Sequence, residues 1–212
     1  GLDLSMWEKR IALSIDYYRS KTTDMLYVYT VPVPPYPYDK FLANLGSMQN
    51  SGLEIGFGIT PLRTKDVELT INMNWTFERN KLLALDGEYN GQPMTAPQSI
   101  GISALWGAGF HGASTVVKQI VGEPLGVFKL PHCNGIIEDA DGMKYYDVTD
   151  DSYICGQATP KAVMGSNIAL RYRQWDITMQ INGAFGHKIY NGDAITYNNV
   201  LALSNYNVAK GA

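Results

Sequence analysis

The stretch "VELTINMNWT", residues 67–76, alternates without exception. Val67, Leu69, Ile71, Met73 and Trp75 are apolar, and Glu68, Thr70, Asn72, Asn74 and Thr76 are polar. Side chains on a strand point to opposite faces with period two, so this segment has one apolar and one wet face. A protein core and a lipid bilayer both explain such a face, and they imply different functions.

The same pattern recurs on both sides of it. Leu2, Leu4 and Met6 alternate with Asp3 and Ser5, and Glu8-Lys9 is a tight polar break. Ile11, Leu13, Ile15 and Tyr17 then alternate with Ala12, Ser14, Asp16 and Tyr18, which predicts a hairpin. Leu53, Ile55, Phe57 and Ile59 lead through a turn at 61–66 into the opening stretch. Ile168, Leu170 and Tyr172 lead through Arg173-Gln174 into Trp175, Ile177, Met179 and Ile181. Between these hairpins the pattern fades. Residues 19–50 hold Pro32, Pro34, Pro35 and Pro37 and read as an extended loop, because proline has no N–H for a central strand. Residues 77–160 read as one long excursion rich in Gly, Asp and Pro, with "RNKLLALDG" (79–87) as a short helix at its start. Residues 186–212 read as irregular.

Three features favour lipid over a sandwich core. No apolar-face position of the six strands is charged, as expected where a mid-depth charge costs roughly 2–4 kcal/mol. Trp7, Tyr172 and Trp175 flank the short turns while Tyr17 and Trp75 sit at the opposite strand ends, the pattern of two aromatic girdles. Connections alternate between short and long, and loops beyond roughly 15 residues are uncommon in compact soluble domains. The expected fold is therefore all-β, an antiparallel transmembrane β-barrel segment with short periplasmic turns and long extracellular loops. Its polar face, with Asp3, Asp16, Glu54, Glu68, Arg171 and Asp176, lines the lumen. The chain reads as one partial barrel over 1–212, with 77–160 as a long extracellular loop region within it. Opening on "GLDLS" and closing on "NVAKGA", it reads as a piece of a longer protein.

Composition narrows the function. A net charge of −3 over 212 residues offers no basic surface for nucleic acid. His111, His132 and His187 fall in separate expected loops, and no zinc, nucleophile-elbow or other catalytic motif is present, so no enzyme and no cofactor are expected. Asp139-x-Asp141-Gly142 resembles the start of a calcium loop, but Met143 stands where a ligand is needed and the closing Glu is absent; an acidic turn is the favoured reading. Trp106, Phe110 and His111 lie in the glycine-spaced "WGAGFHG" and are candidates for substrate or partner contact. Cys133 and Cys155 share the long excursion, and a disulfide between them is expected on an oxidising outer surface.

Six stretches resemble, in order, segments of the SusC/RagA-type TonB-dependent outer-membrane transporters of Bacteroidetes. They are "GLDLSMWEKRIALSIDYYRSKTTDML" (1–26), "LANLGSMQNSGLEIGF" (42–57), "WTFERNKLLAL" (75–85), "IVGEPLGVFKL" (120–130), "MKYYDVTDD" (143–151) and "TPKAVMGSNIALRYRQWDITMQINGAFGHKIYN" (159–191). The chain departs from the family pattern at 126–136 and 145–155. The resemblance implies a 22-stranded barrel in the cell outer membrane, of which this is a part from the C-terminal half. It also implies a plug and a TonB-contacting segment elsewhere, a SusD-like surface lipoprotein as partner, and an oligosaccharide or peptide substrate. Two other readings of the residues are a surface β-sandwich that binds ligand by its loops, as adhesins and lectins do, and a passive porin.

Overall fold

The computed structural model describes residues 1–34, 36–89, 91–94, 100–101 and 116–191. The chain forms strands β1 (Leu2–Met6), β2 (Ile11–Thr30), β3 (Lys40–Arg63), β4 (Val67–Ala84), β5 (Gly87–Tyr89), β6 (Gln92–Met94), β7 (Ile100–Gly101), β8 (Val117–Gln119), β9 (Val127–Glu138), β10 (Lys144–Gln157), β11 (Ala162–Tyr172) and β12 (Trp175–Phe185). Six of them make one antiparallel sheet in the order β1-β2-β3-β4-β11-β12. A second sheet has the order β10-β9-β8-β7, and β5 pairs with β6.

The ladder turns the alternation into continuous rows. Met6, Ile11, Ile59, Ile71, Ile168 and Met179 stand side by side across all six strands. The next rung up is Leu4, Leu13, Phe57, Met73, Ser166 and Ile181, and the one above it is Leu2, Ile15, Ile55, Trp75, Met164 and Gly183. Among the described residues no second sheet covers this face: Leu2, Leu4, Met6, Ile177, Met179 and Ile181 are all exposed. A sandwich would bury them against a partner sheet. Instead the apolar face ends in aromatic rungs. At the short-turn end Val67, Tyr172 and Trp175 are in register, and Trp7 stands in the β1–β2 turn; Trp7 and Trp175 are 74% and 72% exposed. At the other end Tyr17, Leu53, Phe77, Ala162 and Phe185 form one rung. Trp75 stacks on both Phe77 and Phe185, with ring centroids 6.0 and 5.6 Å apart. A Cβ on Gly183 would stand 2.9 Å from the Phe185 ring, so glycine there makes room for this stack. From Val67 to Phe77 the chain climbs about 33 Å along the strand. At a tilt near 40° this is about 25 Å of height, the thickness of a barrel's apolar band.

Several sequence expectations are corrected. The first turn is wider than Glu8-Lys9: Met6 pairs with Ile11, and Arg10 N donates to Trp7 O at 3.0 Å. Residues 19–50 are mostly strand rather than loop, since β2 runs on to Thr30 and β3 starts at Lys40. Only the proline segment turns the chain, closed by Val31 N donating to Asp39 O. The alternation is lost there because β2 and β3 are bulged between Thr22 and Leu26, where Asp24 has a positive φ. Residues 79–87 are no helix: β4 continues to Ala84, paired with β3 through Leu82 and again at Ala84 past a bulge. Further along the expected irregular excursion, 127–157 is a β9–β10 hairpin. Pro61 is tolerated within β3 because it falls at the bulge between Ile59 and Leu62.

The buried core is not within the band but above it. Tyr29, Val31, Ala43, Leu82, Leu85 and Met94 cluster there, with Tyr27, Tyr36, Phe41, Leu45 and Leu125 packed around them. Tyr29 Oη donates to Leu85 O at 2.6 Å, which satisfies the one polar atom of a fully buried side chain. Burial raises the Tyr29 phenol above its ordinary pKa.

In the full-length protein, spin labels at Leu69, Ile71 and Met73 should be accessible to oxygen and shielded from polar relaxants, and labels at Thr70 and Asn72 the reverse. Ile71→Lys, near mid-depth, should cost about 2–4 kcal/mol in urea refolding into vesicles. Equal polar accessibility on both faces would remove the lipid assignment.

Candidate functional site

The inner face carries the polar rows. Asp3, Ser14, Gly56, Asn74, Gly165 and Asn182 form one rung, and Ser5, Ala12, Gly58, Asn72, Asn167 and Gln180 the next. Small residues at the centre of these rungs hollow the wall into a concavity of about 470 Å³ bordered by Asp3, Asn72 and Asn74. Higher up, Tyr18 lies flat over Gly52, whose missing Cβ leaves the ring its place.

At the short-turn end Glu68 holds three strands together. Arg63 donates to its Oε1 from Nε and Nη2 at 3.2 and 3.0 Å, and Arg171 Nη2 donates to its Oε2 at 2.7 Å. The carboxylate thus spends both oxygens on structure. Asp176 is in register with Arg171 on the neighbouring strand.

At the opposite end a cleft of about 640 Å³ opens beside β4, where β11 has ended. Glu78, Glu123, Lys161 and Lys188 border it with Asn80 and Gln157. The segment 122–125 is fastened to β4 by Leu82 N donating to Glu123 O, Gly122 N donating to Leu82 O, and Leu125 N donating to Asn80 Oδ1. Carboxylates and ammonium groups thus border one partly covered polar cleft. Residue-by-residue reading missed this cleft, because its walls come from β4, the 122–127 segment, β10 and the residues flanking β11 and β12.

The candidates from sequence scatter. Trp106, Phe110 and His111 lie outside the described residues. His132 is on β9, edge-on to Tyr153, rather than in a loop, and His187 follows β12. Asp139 and Asp141 sit at the tip of the β9–β10 hairpin. There Asp139 Oδ1 accepts from the backbone N–H of Asp141 and of Met143 at 3.0 and 2.9 Å, so this carboxylate builds the turn. The expected Cys133–Cys155 bond is not formed. Cys133 is opposite Val148, while the neighbours of Cys155 are opposite Lys129 and Phe128. Four or five rungs separate the thiols, roughly 15 Å at about 3.3 Å per residue, beyond the reach of a disulfide. Cys155 Sγ instead donates to Phe128 O at 3.3 Å.

No family model matches the chain. Relatives are nevertheless clear. The chain is 26% identical to TonB-dependent receptor P26 of Formosa agariphila over 212 residues, covering 90% of this chain and 20% of that protein. It is 25% identical to TonB-dependent receptor SusC of Bacteroides thetaiotaomicron over 202 residues, covering 90% and 19%. In fold it matches the RagAB peptide transporter with a TM-score of 0.63 at 18% identity, over 87% of this chain and 20% of that one. The chain therefore spans about one fifth of the length of these relatives.

Two measurements test the geometry described. Removing Glu68 with either arginine in double-mutant cycles should give couplings of about 0.5–1 kcal/mol that shrink in high salt, as befits half-exposed arginines. In the non-reduced native protein both thiols should alkylate, the exposed Cys133 faster than the half-buried Cys155; a thiol-free protein would restore the disulfide.

By sequence over nine-tenths of its length, and by fold over nearly as much, the chain is a relative of the SusC/RagA-type TonB-dependent receptors of Bacteroidetes, and its six-stranded sheet corresponds to a stretch of their antiparallel transmembrane barrel wall.

Proposed function

We propose that the intact protein imports a nutrient across the cell outer membrane, energised by TonB, and that this chain supplies six strands of its wall and part of its extracellular mouth. The observation that carries this reading is the match to named TonB-dependent receptors across nine-tenths of the chain, hairpins and long connection alike. The geometry supports it: one face suited to lipid, the other polar and hollowed, with the β1–β2, β3–β4 and β11–β12 turns of the six-stranded sheet all at one end. Six strands leave β1 and β12 as open edges, so transport belongs to the closed barrel and not to this sheet alone.

The substrate class proposed is an oligosaccharide or peptide, a chain too large for a porin, held by the long connections and by a SusD-like lipoprotein that closes the mouth. A rigid wall with short turns offers little binding surface at one end, and loops on such scaffolds carry recognition. Residues beyond β4, from 85 to 160, supply that recognition in this reading, with Trp106, Phe110 and His111 as the candidate contacts. The porin reading differs in lacking a plug and a TonB-contacting segment. The sandwich reading is disfavoured by the uncovered apolar face.

The test uses the full-length receptor in its native host. It should fractionate with the outer membrane, require detergent for extraction, and support uptake only when TonB is present. Deleting residues 102–115 should leave heat-resistant barrel migration intact, because the β4–β11 register lies elsewhere, while uptake or lipoprotein association falls at least several-fold. Uptake independent of TonB would favour the porin, and survival of both functions in the deletion would make the loop a spacer.

A further inference from the structure

Just beyond the upper aromatic rung, the lipid-side face of the sheet becomes cationic. Tyr17 pairs with Leu53 and Leu53 with Phe77. One rung of the same face higher, Arg19 pairs with Ser51 and Ser51 with Arg79; the next is Lys21, Gln49 and Lys81. No bulge interrupts either ladder between these rungs, so the face is preserved. The sequence shows the same spacing twice, Tyr17-x-Arg19-x-Lys21 on β2 and Phe77-x-Arg79-x-Lys81 on β4. All four cations are exposed, and none makes an ion pair with a described residue. Arg19 Nη2 donates to Gln49 Oε1 at 2.8 Å, which holds the guanidinium over β3. The intervening strand is neutral and low there, with Ser51 between the two arginines. Two strand spacings, about 10 Å, separate β2 from β4, so the two guanidinium groups can close on one anionic group lying over Ser51. The opposite face at this level is covered: Asn80 is buried under the 122–125 segment.

Height identifies the anion. Each two-residue step raises a side chain about 5 Å once tilt is included. The arginines thus stand about 5 Å, and the lysines about 10 Å, above the aromatic rung that marks the edge of hydrocarbon. The headgroup layer occupies about 5–8 Å on each side of the core, so the arginines stand within it and the lysines just above it, with flexible stems that reach back down. Arginine forks bind phosphate in a bidentate manner, and lysines add point charge. We propose that Arg19, Lys21, Arg79 and Lys81 form a site for the phosphate headgroup of an outer-leaflet lipid. It clamps the barrel wall at a fixed depth. The inference rests on the membrane placement proposed above.

The test uses the detergent-purified full-length receptor, with phosphorylated lipid A, enzymatically dephosphorylated lipid A and inorganic phosphate as probes. Phosphorylated lipid A should bind, by native mass spectrometry and by a raised unfolding temperature, at least tenfold more tightly than the dephosphorylated form. The variant R19Q/K21Q/R79Q/K81Q should lose that tenfold preference, whereas K9Q/K65Q, with cations removed at the opposite end, should keep it. If the quadruple variant fails to show heat-resistant barrel migration, R19Q/R79Q should still lose most of the preference. Equal binding of both lipid forms, or an unchanged preference in the variants, overturns the site. An equal response to inorganic phosphate overturns its assignment to lipid. Failure of the receptor to extract with the outer membrane would instead strike the membrane placement itself.

Discussion

In hydrocarbon there is no water to satisfy a backbone N–H or C=O, so every strand that crosses must be paired along its whole depth. The unbroken register from Ile11 through Ile59 and Ile71 to Ile168 meets this constraint, and the remaining features of the wall follow from it. Pairing fixes which residues share a face. The shared face must then be free of charge over the band, because any exception would meet lipid on every side. Turns on the short side need only reverse the chain, and here Trp7, Glu8 and Lys9 do so with positive φ and no glycine, while the exposed Trp7 ring stands at the interface.

What the sequence made legible is what that constraint touches. Residues 67–76 and 175–181 alternate because each apolar position lies on one lipid-facing row, and the short turns between such runs are legible to within three residues. The upper ends of the strands were not legible. The alternation stops at Thr76 on β4 and at Ile181 on β12, yet Phe77 and Phe185 complete the upper aromatic rung. Just past Phe77, Glu78, Arg79 and Lys81 break the apolar pattern because they have left the hydrocarbon, though the backbone ladder continues. Ser166 and Gly183 hid part of the β11–β12 wall for another reason: they sit on the apolar face and hold space for Met73, Ile181 and the Trp75–Phe185 stack. Polarity alone cannot tell such a residue from a loop.

The cleft was illegible for a stronger reason. Its borders, Glu78, Glu123, Gln157, Lys161 and Lys188, belong to segments brought together only when β11 pairs with β4. The cysteine expectation failed on the same kind of information. Two thiols 22 positions apart in a hairpin meet only if the register puts them opposite each other, and bulges at Val148 and Gly156 set that register. Spacing in sequence carried no trace of those bulges.

The two halves of the chain therefore answer to different physics. Within the apolar band the wall is held by ladders shifted only at the Ile59–Leu62 bulge, and Glu68 ties three of its strands at the base. The β9–β10 hairpin has three register breaks, and Ile136, Met143 and Tyr146 stand exposed along it rather than packed in a core. Regions with few buried contacts open at lower free energy than a continuous ladder does. In the importer proposed above, a mouth that admits and releases a chain molecule would combine such a region with a firmly paired wall. The small core around Tyr29 and Leu82 is the junction between them. It packs the upper strands against Leu85, Met94 and Leu125, with the Tyr29 hydroxyl tied to the Leu85 carbonyl.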